Sequence, residues 1–479
     1  MGFSFSIRVH TESLLRRLVL MTSPNDSGGA RTLAYTPQFK RVLTLKDLII
    51  YGIVFITPTA PYPVFGIVGS IARGHVAMTY LIGMVAMMLT AMSYGQMASA
   101  FPAAGSTYTF TQQGLNPHLG FFAGWSMFLD YLLIPLLSVI YVGLTLHRLI
   151  PGVPYGFWVI LSALLITGIN FLGIKMTARV NLIMLILMLI SVFGFLVCAV
   201  VALLRGAGQG TLFSLKPFYD PEAFSLSAVM TGSSVAALSY IGFDGVTTLS
   251  EDVEKPERNV LIATVLVCFL SAGFNISQTY FAQLVWPDFR SFRDMETAFL
   301  DVSQLVGGQV LFHYVTFVLL VAGLGSALGG QAGASRLLFG MGRDEVLPKR
   351  FFAYIHPKYN TPTYNIYLLG GFSMVAAFFI NFQLAAELVN FGAFLGFICV
   401  NLAVVSHFFL RGGRRKKWQI LGYLIAPLLG FLFCLYIWLS LRPIAMIVGF
   451  SWLGLGIVYA AILTKGFKKP PKAIDFREG

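Results

Sequence analysis

LIIYGIVFITPTAPYPVFGIVGS, residues Leu48–Ser70, is an apolar stretch with a proline-rich middle. A bilayer crossing takes about 20 apolar residues, and this stretch is long enough. Its middle is Thr57-Pro58-Thr59-Ala60-Pro61-Tyr62-Pro63. Each proline removes a backbone donor and crowds the carbonyl one turn back. Backbone freed in this way survives at membrane depth only where protein buries it or where it lines a wet cavity. One proline would read as a tolerated kink. Three, set among two threonines, read as the unwound segment of a discontinuous helix at a binding site.

Composition places that stretch in a polytopic membrane protein. Of 479 residues, 11% are charged and 57% hydrophobic, against about 25% charged in soluble proteins. The four cysteines, Cys198, Cys268, Cys399 and Cys434, lie in apolar segments without CxxC spacing. They read as packing residues, neither a disulfide framework nor a metal site. The N-terminus lacks the apolar core and cleavage site of a signal peptide. Residues 1–42 are expected to form a disordered cytoplasmic tail, in which Met21 is a second candidate start.

Apolar runs of spanning length recur at 46–72, 76–100, 119–146, 156–174, 180–205, 226–250, 259–285, 309–340, 365–381, 384–410, 419–440 and 443–464. The pattern predicts an all-α protein of twelve transmembrane helices. With both termini cytoplasmic, all but seven of the 33 basic residues fall on the cytoplasmic side. The outer seven are Arg73, Arg148, Arg205, Lys216, Arg290, Arg293 and Arg442. That asymmetry sets the orientation. The net charge of +13 thus reflects topology and anionic lipid headgroups, not nucleic-acid binding.

A second interruption lies in the sixth run, Ala237-LSYIGFD-Gly245, where Gly242 and Gly245 flank Asp244. Runs 1 and 6 are five apart. If runs 1–5 and 6–10 form inverted repeats, the two broken helices are equivalent and their half-helix ends meet near the midplane. N-terminal half-helix ends suit anions, and C-terminal carbonyls suit cations.

Several motifs then carry a family resemblance. Tyr94-Gly-Gln-Met97 with Phe101-Pro-Ala-Ala-Gly-Ser-Thr-Tyr108 resembles the signature after the second helix of amino acid–polyamine–organocation permeases. So do Gly242-Phe-Asp-Gly245 with Leu249-Ser-Glu-Asp-Val-Glu-Lys-Pro-Glu-Arg-Asn259, and Ser335-Arg336-Leu-Leu-Phe-Gly-Met-Gly-Arg343-Asp344 with Leu347-Pro348. Phe65-Gly-Ile-Val68, Gly124-Trp125, Leu129-Asp-Tyr131, Val246-Thr-Thr-Leu-Ser-Glu251 and Asn390-Phe-Gly-Ala393 are similar to the putrescine importer subgroup. The resemblance covers about residues 42–465. It implies a leucine-transporter-like core of five-plus-five inverted repeats over 43–410, helices 11 and 12 over 411–465, and a cytoplasmic tail over 466–479. It also implies alternating access around a site between helices 1, 3, 6, 8 and 10. The chain departs from the pattern in one place. Amino-acid-binding members carry a glycine-containing unwound segment that cradles a carboxylate, whereas Thr57–Pro63 is proline-rich. The putrescine type carries an acid near Pro63, and this chain has none there.

The candidate substrate residues are Thr57, Thr59, Ala60 and Tyr62 at the first break and Tyr240, Ile241, Gly242 and Phe243 at the second. Asp130 and its neighbour Tyr131 lie inside the third run. An intramembrane carboxylate costs at least about 2.5–3.5 kcal/mol and is functional by default. The resemblance sets Asp130 level with the substrate, where it pairs with an ammonium or carries a coupling proton. Its alternative is a neutral carboxyl hydrogen-bonded between helices. Asp244 is a gate or coupling group, or an N-cap of the second half-helix. Glu251, with Asp252, Glu254, Lys255 and Arg258, reads as an intracellular gate or a solvated loop. Ser326 and Gln331 in run 8 and Asn390 in run 10 are further candidates, and Asn390 is equally suited to a helix–helix hydrogen bond. Glu387, at the outer start of run 10, reads as a solvated or vestibule group.

Other chemistry is not encoded. The seven histidines form no HExxH, and Gly340-Met-Gly-Arg343 lacks the spacing and lysine of a phosphate-binding loop. No cofactor or metal is expected, and no ATP drives the cycle. Run 5 holds no interior lysine to stand in for sodium. The reading is a secondary permease of the cytoplasmic membrane that imports a small amine, an amino acid or a polyamine such as putrescine. Its energy comes from a proton or ion gradient, with proton coupling preferred. An exchanger is the alternative. A membrane-embedded enzyme and a non-transporting nutrient receptor are the rivals from other classes.

Overall fold

A computed structural model describes residues 43–101, 106–173, 178–343 and 347–467. The N-terminal tail 1–42, the signature residues 102–105, Asp344 and the C-terminal residues 468–479 lie outside the described residues, as does the side chain of Glu251. Among the described residues the fold is all-helical; the one β feature is an isolated parallel bridge between Leu43 and Val253.

The first helices follow directly from local chemistry. Helix α1 (Leu45–Ile56) opens on a capping box, in which the Asp47 carboxylate accepts from the Thr44 amide at 2.8 Å. It stops where the proline-rich segment begins. A 3₁₀ turn, Tyr62–Val64, leads into α2 (Phe65–Ile71). Then come α3 (Val76–Ala100), α4 (Ser106–Gly114), α5 (Pro117–Leu149), α6 (Tyr155–Phe171) and α7 (Ala178–Leu204). Asn116 caps α5 by accepting from Leu119 N at 2.9 Å, and Pro117 takes the first position, where no donor is needed.

Helix α8 (Leu226–Ala236) passes into two 3₁₀ segments, Ala237–Tyr240 and Phe243–Asp252. Helix α9 (Pro256–Val285) follows, then α10 (Ala298–Arg343), which is bent at Gly308 with φ +63°. The apolar run expected at 309–340 is therefore the part of α10 beyond that bend. The chain continues through α11 (Lys349–Phe352), α12 (Thr363–Ala376), α13 (Phe382–Val404), α14 (Lys417–Ile420), α15 (Ala426–Leu439) and α16 (Pro443–Leu463). The division between α12 and α13 falls at Asn381, whose side chain caps α13 by accepting from Leu384 N at 2.8 Å. Pro443 begins α16. Among the described residues, nine helices are long and apolar enough to cross a membrane.

The core is made by α3 packing along α9 and by α5 packing against both α10 and α13. Helix α13 is its most enclosed member, with 83% of its apolar window buried. Helix α16 lies outermost, with 17% buried. It is clasped to α5 by a reciprocal pair: Trp125 Nε1 donates to Trp452 O at 3.0 Å, Trp452 Nε1 donates to Trp125 O at 3.1 Å, and the rings stack at 5.0 Å.

Glu387 differs from the vestibule group expected of it. Its side chain is fully buried and accepts from Arg442 Nε at 2.5 Å. The reason is tertiary. The turn before α16 reaches over the start of α13 and supplies the cation that a buried carboxylate requires.

Candidate functional site

At the first break, Thr57 takes φ +62°, and its hydroxyl donates to Ile56 O at 2.6 Å. The amide of Ala60 then returns to Thr57 O at 2.9 Å, and that of Tyr62 to Thr59 O at 3.1 Å. The carbonyl of Pro58, left without a helical donor, accepts from Gln278 Nε2 of α9 at 3.0 Å. The unwound segment is thus satisfied from outside itself, as membrane depth demands.

At the second break, Ile241 is extended and Gly242 takes φ +121°, a conformation that an L side chain resists. The Gly242 amide donates to Asp244 Oδ1 at 3.3 Å, and Thr247 Oγ1 donates to Asp244 O at 2.6 Å. The Asp244 side chain therefore holds the turn.

The two breaks meet. A Cβ on Gly242 would fall 2.8 Å from Phe55 Cδ1, and one on Gly245 would fall 2.9 Å from Phe55 Cε1. Only glycines let the end of α1 lie this close.

Asp130, near the middle of α5, is 2% exposed, and its Oδ1 has no hydrogen-bond partner among the described residues. Such an oxygen is costly to bury. Helix α13 presses on this point: a Cβ on Gly392 would fall 2.4 Å from Ser126 O and 3.2 Å from Asp130 N. Two residues earlier, Asn390 Nδ2 donates to Ser234 O of α8 at 2.5 Å, while its Oδ1 is unpartnered among the described residues. Asp130 stands within electrostatic reach of Asp244, and Tyr131 within reach of both. The structure therefore brings the two breaks together at Phe55, and sets α13 against Asp130 at Gly392 and against α8 at Asn390.

Other candidates are placed differently. Tyr240 turns to α3, donating from Oη to Tyr80 O at 2.7 Å. Phe243 is buried edge-on to Tyr94, with ring centroids 5.5 Å apart. Tyr62 stacks on Phe299 at 3.7 Å. Gln331 accepts from Asn170 Nδ2 at 2.8 Å and donates to Thr167 Oγ1 and Ile366 O, so its amide is engaged between α6, α10 and α12. Ser326 is half-buried on α10. Tyr51, Phe55, Thr57 and Ile241 are half-buried, whereas Pro61, Tyr62, Val64 and Phe65 are buried or nearly so at their backbone turn; Pro61, Tyr62, Val64 and Phe65 are all in the buried class.

Three residues at the juncture escaped the sequence reading. Tyr51 and Phe55 stack at 5.8 Å, one turn apart on α1. Gln278 was detectable as one of three amides inside its apolar run, with Asn275 and Gln283, but its partner lies 220 residues away.

Comparison with known proteins follows this geometry. The family described as amino acid permease matches residues 65–472. The match begins just past Thr57–Pro63, the segment that departs from the family pattern. The low-affinity putrescine importer PlaP of Escherichia coli (strain K12) is 34% identical over 436 residues, covering 90% of this chain and 96% of that protein. The branched-chain amino acid permease BcaP of Bacillus subtilis (strain 168) is 26% identical, covering 90% and 95%. The chloroplastic cationic amino acid transporter 6 of Arabidopsis thaliana is 26% identical, covering 88% and 76%. Because the family match spans most of the chain and one relative exceeds 30% identity along nearly its whole length, the chain belongs to the amino acid permease family.

Proposed function

We propose that this permease imports a small amine, of the putrescine or cationic amino acid kind, across the cytoplasmic membrane by alternating access. The observation that carries this is the unpartnered oxygen of the buried Asp130 on α5, in a molecule whose two broken helices meet at Phe55. A buried carboxylate there favours a cationic ligand over an anionic one. The named activities of the relatives point the same way, since they include a putrescine importer and a cationic amino acid transporter. The family is one of permeases, so a membrane-embedded enzyme is set aside.

Twelve spans, two inverted five-helix repeats and cytoplasmic termini complete this reading, supported by the distribution of Lys and Arg. Asp130 and Asp244 are the titratable groups placed to couple an inward proton gradient, and Glu251 serves at the cytoplasmic gate. Thr57, Thr59, Ala60, Ile241 and Gly242 line the substrate, with Asn390 fixing the second broken helix at its side.

The purified protein in proteoliposomes should accumulate a radiolabelled diamine or cationic amino acid, faster when the outside is acidic. Accumulation of neutral amino acids alone, or of nothing in the panel, would overturn the substrate class. Uptake indifferent to the pH gradient would overturn the coupling.

A further inference from the structure

The backbone of the first break is a ladder of 3₁₀-type bonds with gaps at its prolines. The amide of Ala60 donates to Thr57 O at 2.9 Å, that of Tyr62 to Thr59 O at 3.1 Å, and that of Val64 to Pro61 O at 3.3 Å. A rung from residue 61 to Pro58 O cannot form, because proline has no amide hydrogen. Pro63 leaves a like gap at Ala60, which is half-buried, whereas Pro58 is buried. A buried carbonyl in that position needs a donor from elsewhere. Gln278 of α9 supplies it: its Nε2 donates to Pro58 O at 3.0 Å. The Gln278 side chain is fully buried, and the same nitrogen also donates to Phe274 O of its own helix at 2.8 Å. Both neighbours of that nitrogen are carbonyls, which only the NH₂ end of the amide can serve.

The second break repeats the arrangement. Ile241 N donates to Leu238 O at 3.3 Å and Gly245 N to Gly242 O at 3.0 Å. The amide of Gly242, three residues beyond Ser239, is taken by Asp244 Oδ1 instead. Ser239 O accepts from Asn275 Nδ2 of α9 at 3.0 Å. Asn275 and Gln278 are three residues apart and so stand on one face of α9. A single turn of one helix therefore meets an open carbonyl of each break.

We propose that Gln278 is a positioning residue of the transport site, supplying to Pro58 the donor that Pro61 lacks, and that with Asn275 it holds the two breaks at a fixed spacing. The proposal rests on the reading of the two breaks as the substrate site. Gln278 acts through backbone: Thr57, Thr59 and Ala60 keep their places because the carbonyl among them is tied to α9.

The missing donor also names its own rescue. Pro61 has φ −72° and ψ −19°, which alanine adopts without strain. Pro61→Ala would therefore complete the ladder and relieve the need for Gln278. The test compares wild type, Gln278→Met, Pro61→Ala and the double variant as purified full-length protein. Amide hydrogen exchange at Thr57, Thr59, Ala60 and Tyr62 reads the state of the break with no substrate present. Gln278→Met keeps the length of the side chain and loses the donor, so exchange there should quicken at least about tenfold. Adding Pro61→Ala should return it to within about threefold of Pro61→Ala alone. In proteoliposomes the half-saturation constant for radiolabelled 1,4-diaminobutane should follow the same pattern, while the maximal rate stays within about twofold. Exchange unaltered by Gln278→Met, or equally fast in the single and double variants, overturns the proposal, since a glutamine that only fills space would not be rescued at residue 61. A half-saturation constant unmoved while exchange quickens overturns the positioning role. Should Gln278→Met yield no folded protein, recovery of folding in the double variant supports the proposal and its absence overturns it. A wild type that carries no amine defeats the substrate reading alone, because the exchange pattern still decides whether Gln278 replaces the missing donor.

Discussion

Glu387 shows how a single residue can be read correctly as charged and wrongly as solvated. Its carboxylate is fully buried, one oxygen is held by Arg442, and the other has no partner among the described residues. Removing the cation leaves a buried charge uncompensated. Arg442 keeps about a third of its side chain exposed, so the cost is set below that of a fully enclosed pair, at roughly 1–3 kcal/mol. Arg442→Met should lower the melting temperature in detergent, and Glu387→Met combined with Arg442→Met should recover most of the loss. A double variant no more stable than Arg442→Met would show that the pair carries no such penalty.

The same scale explains what sequence could and could not reveal at the juncture. Thr57–Pro63 was legible because proline acts on the backbone locally. Gly242 was legible because it sits beside an acid in an apolar run. The engagements of Tyr240, Gln331 and Gln278 were not. Each is settled by a partner on another helix, the Gln278 carbonyl contact spanning 220 residues of chain. Periodicity carries no information about such pairs.

At the scale of elements, α13 does more than fill the core. Gly392 lets its backbone lie directly on that of α5 beside Asp130, and Asn390 fastens it to α8 just before the second break. Helix α13 therefore connects the Asp130 region of α5 to the broken helix. Gly392→Ala would set a methyl against Ser126 O, and overpacking of this kind costs about 1–3 kcal/mol. The expected outcome is a protein that still folds and inserts but carries substrate with a weakened affinity, read as a raised half-saturation constant in proteoliposome uptake. Wild-type affinity in this variant would show that the two helices can part without disturbing Asp130. The helix ends themselves were largely legible, since Asn116, Asn381 and Pro443 are local signals. The outer extension of α10 before Gly308 was missed because its polar start hid it from an apolar window.

At the scale of the whole molecule, the asymmetry of basic residues carries a directional claim. On the proposed orientation Lys216 lies outside, in the connection between α7 and α8. On the same orientation Lys417, at the start of α14, lies inside. Both are exposed. With the four native cysteines replaced, Lys216→Cys should react with a membrane-impermeant maleimide on intact cells, and Lys417→Cys only after the membrane is opened. The reverse pattern would invert the molecule and contradict the proposed cytoplasmic gate at Glu251.

The proposed function turns on Asp130, a buried carboxylate with an unpartnered oxygen among the described residues. Initial uptake of radiolabelled 1,4-diaminobutane by proteoliposomes bearing wild type or Asp130→Asn, across a series of pH gradients, tests its role. Removing one partner of a buried charge pair costs roughly 2–5 kcal/mol, so uptake by Asp130→Asn should fall at least about thirtyfold. Uptake at the wild-type rate with the wild-type pH dependence would contradict the assignment of Asp130 to the substrate.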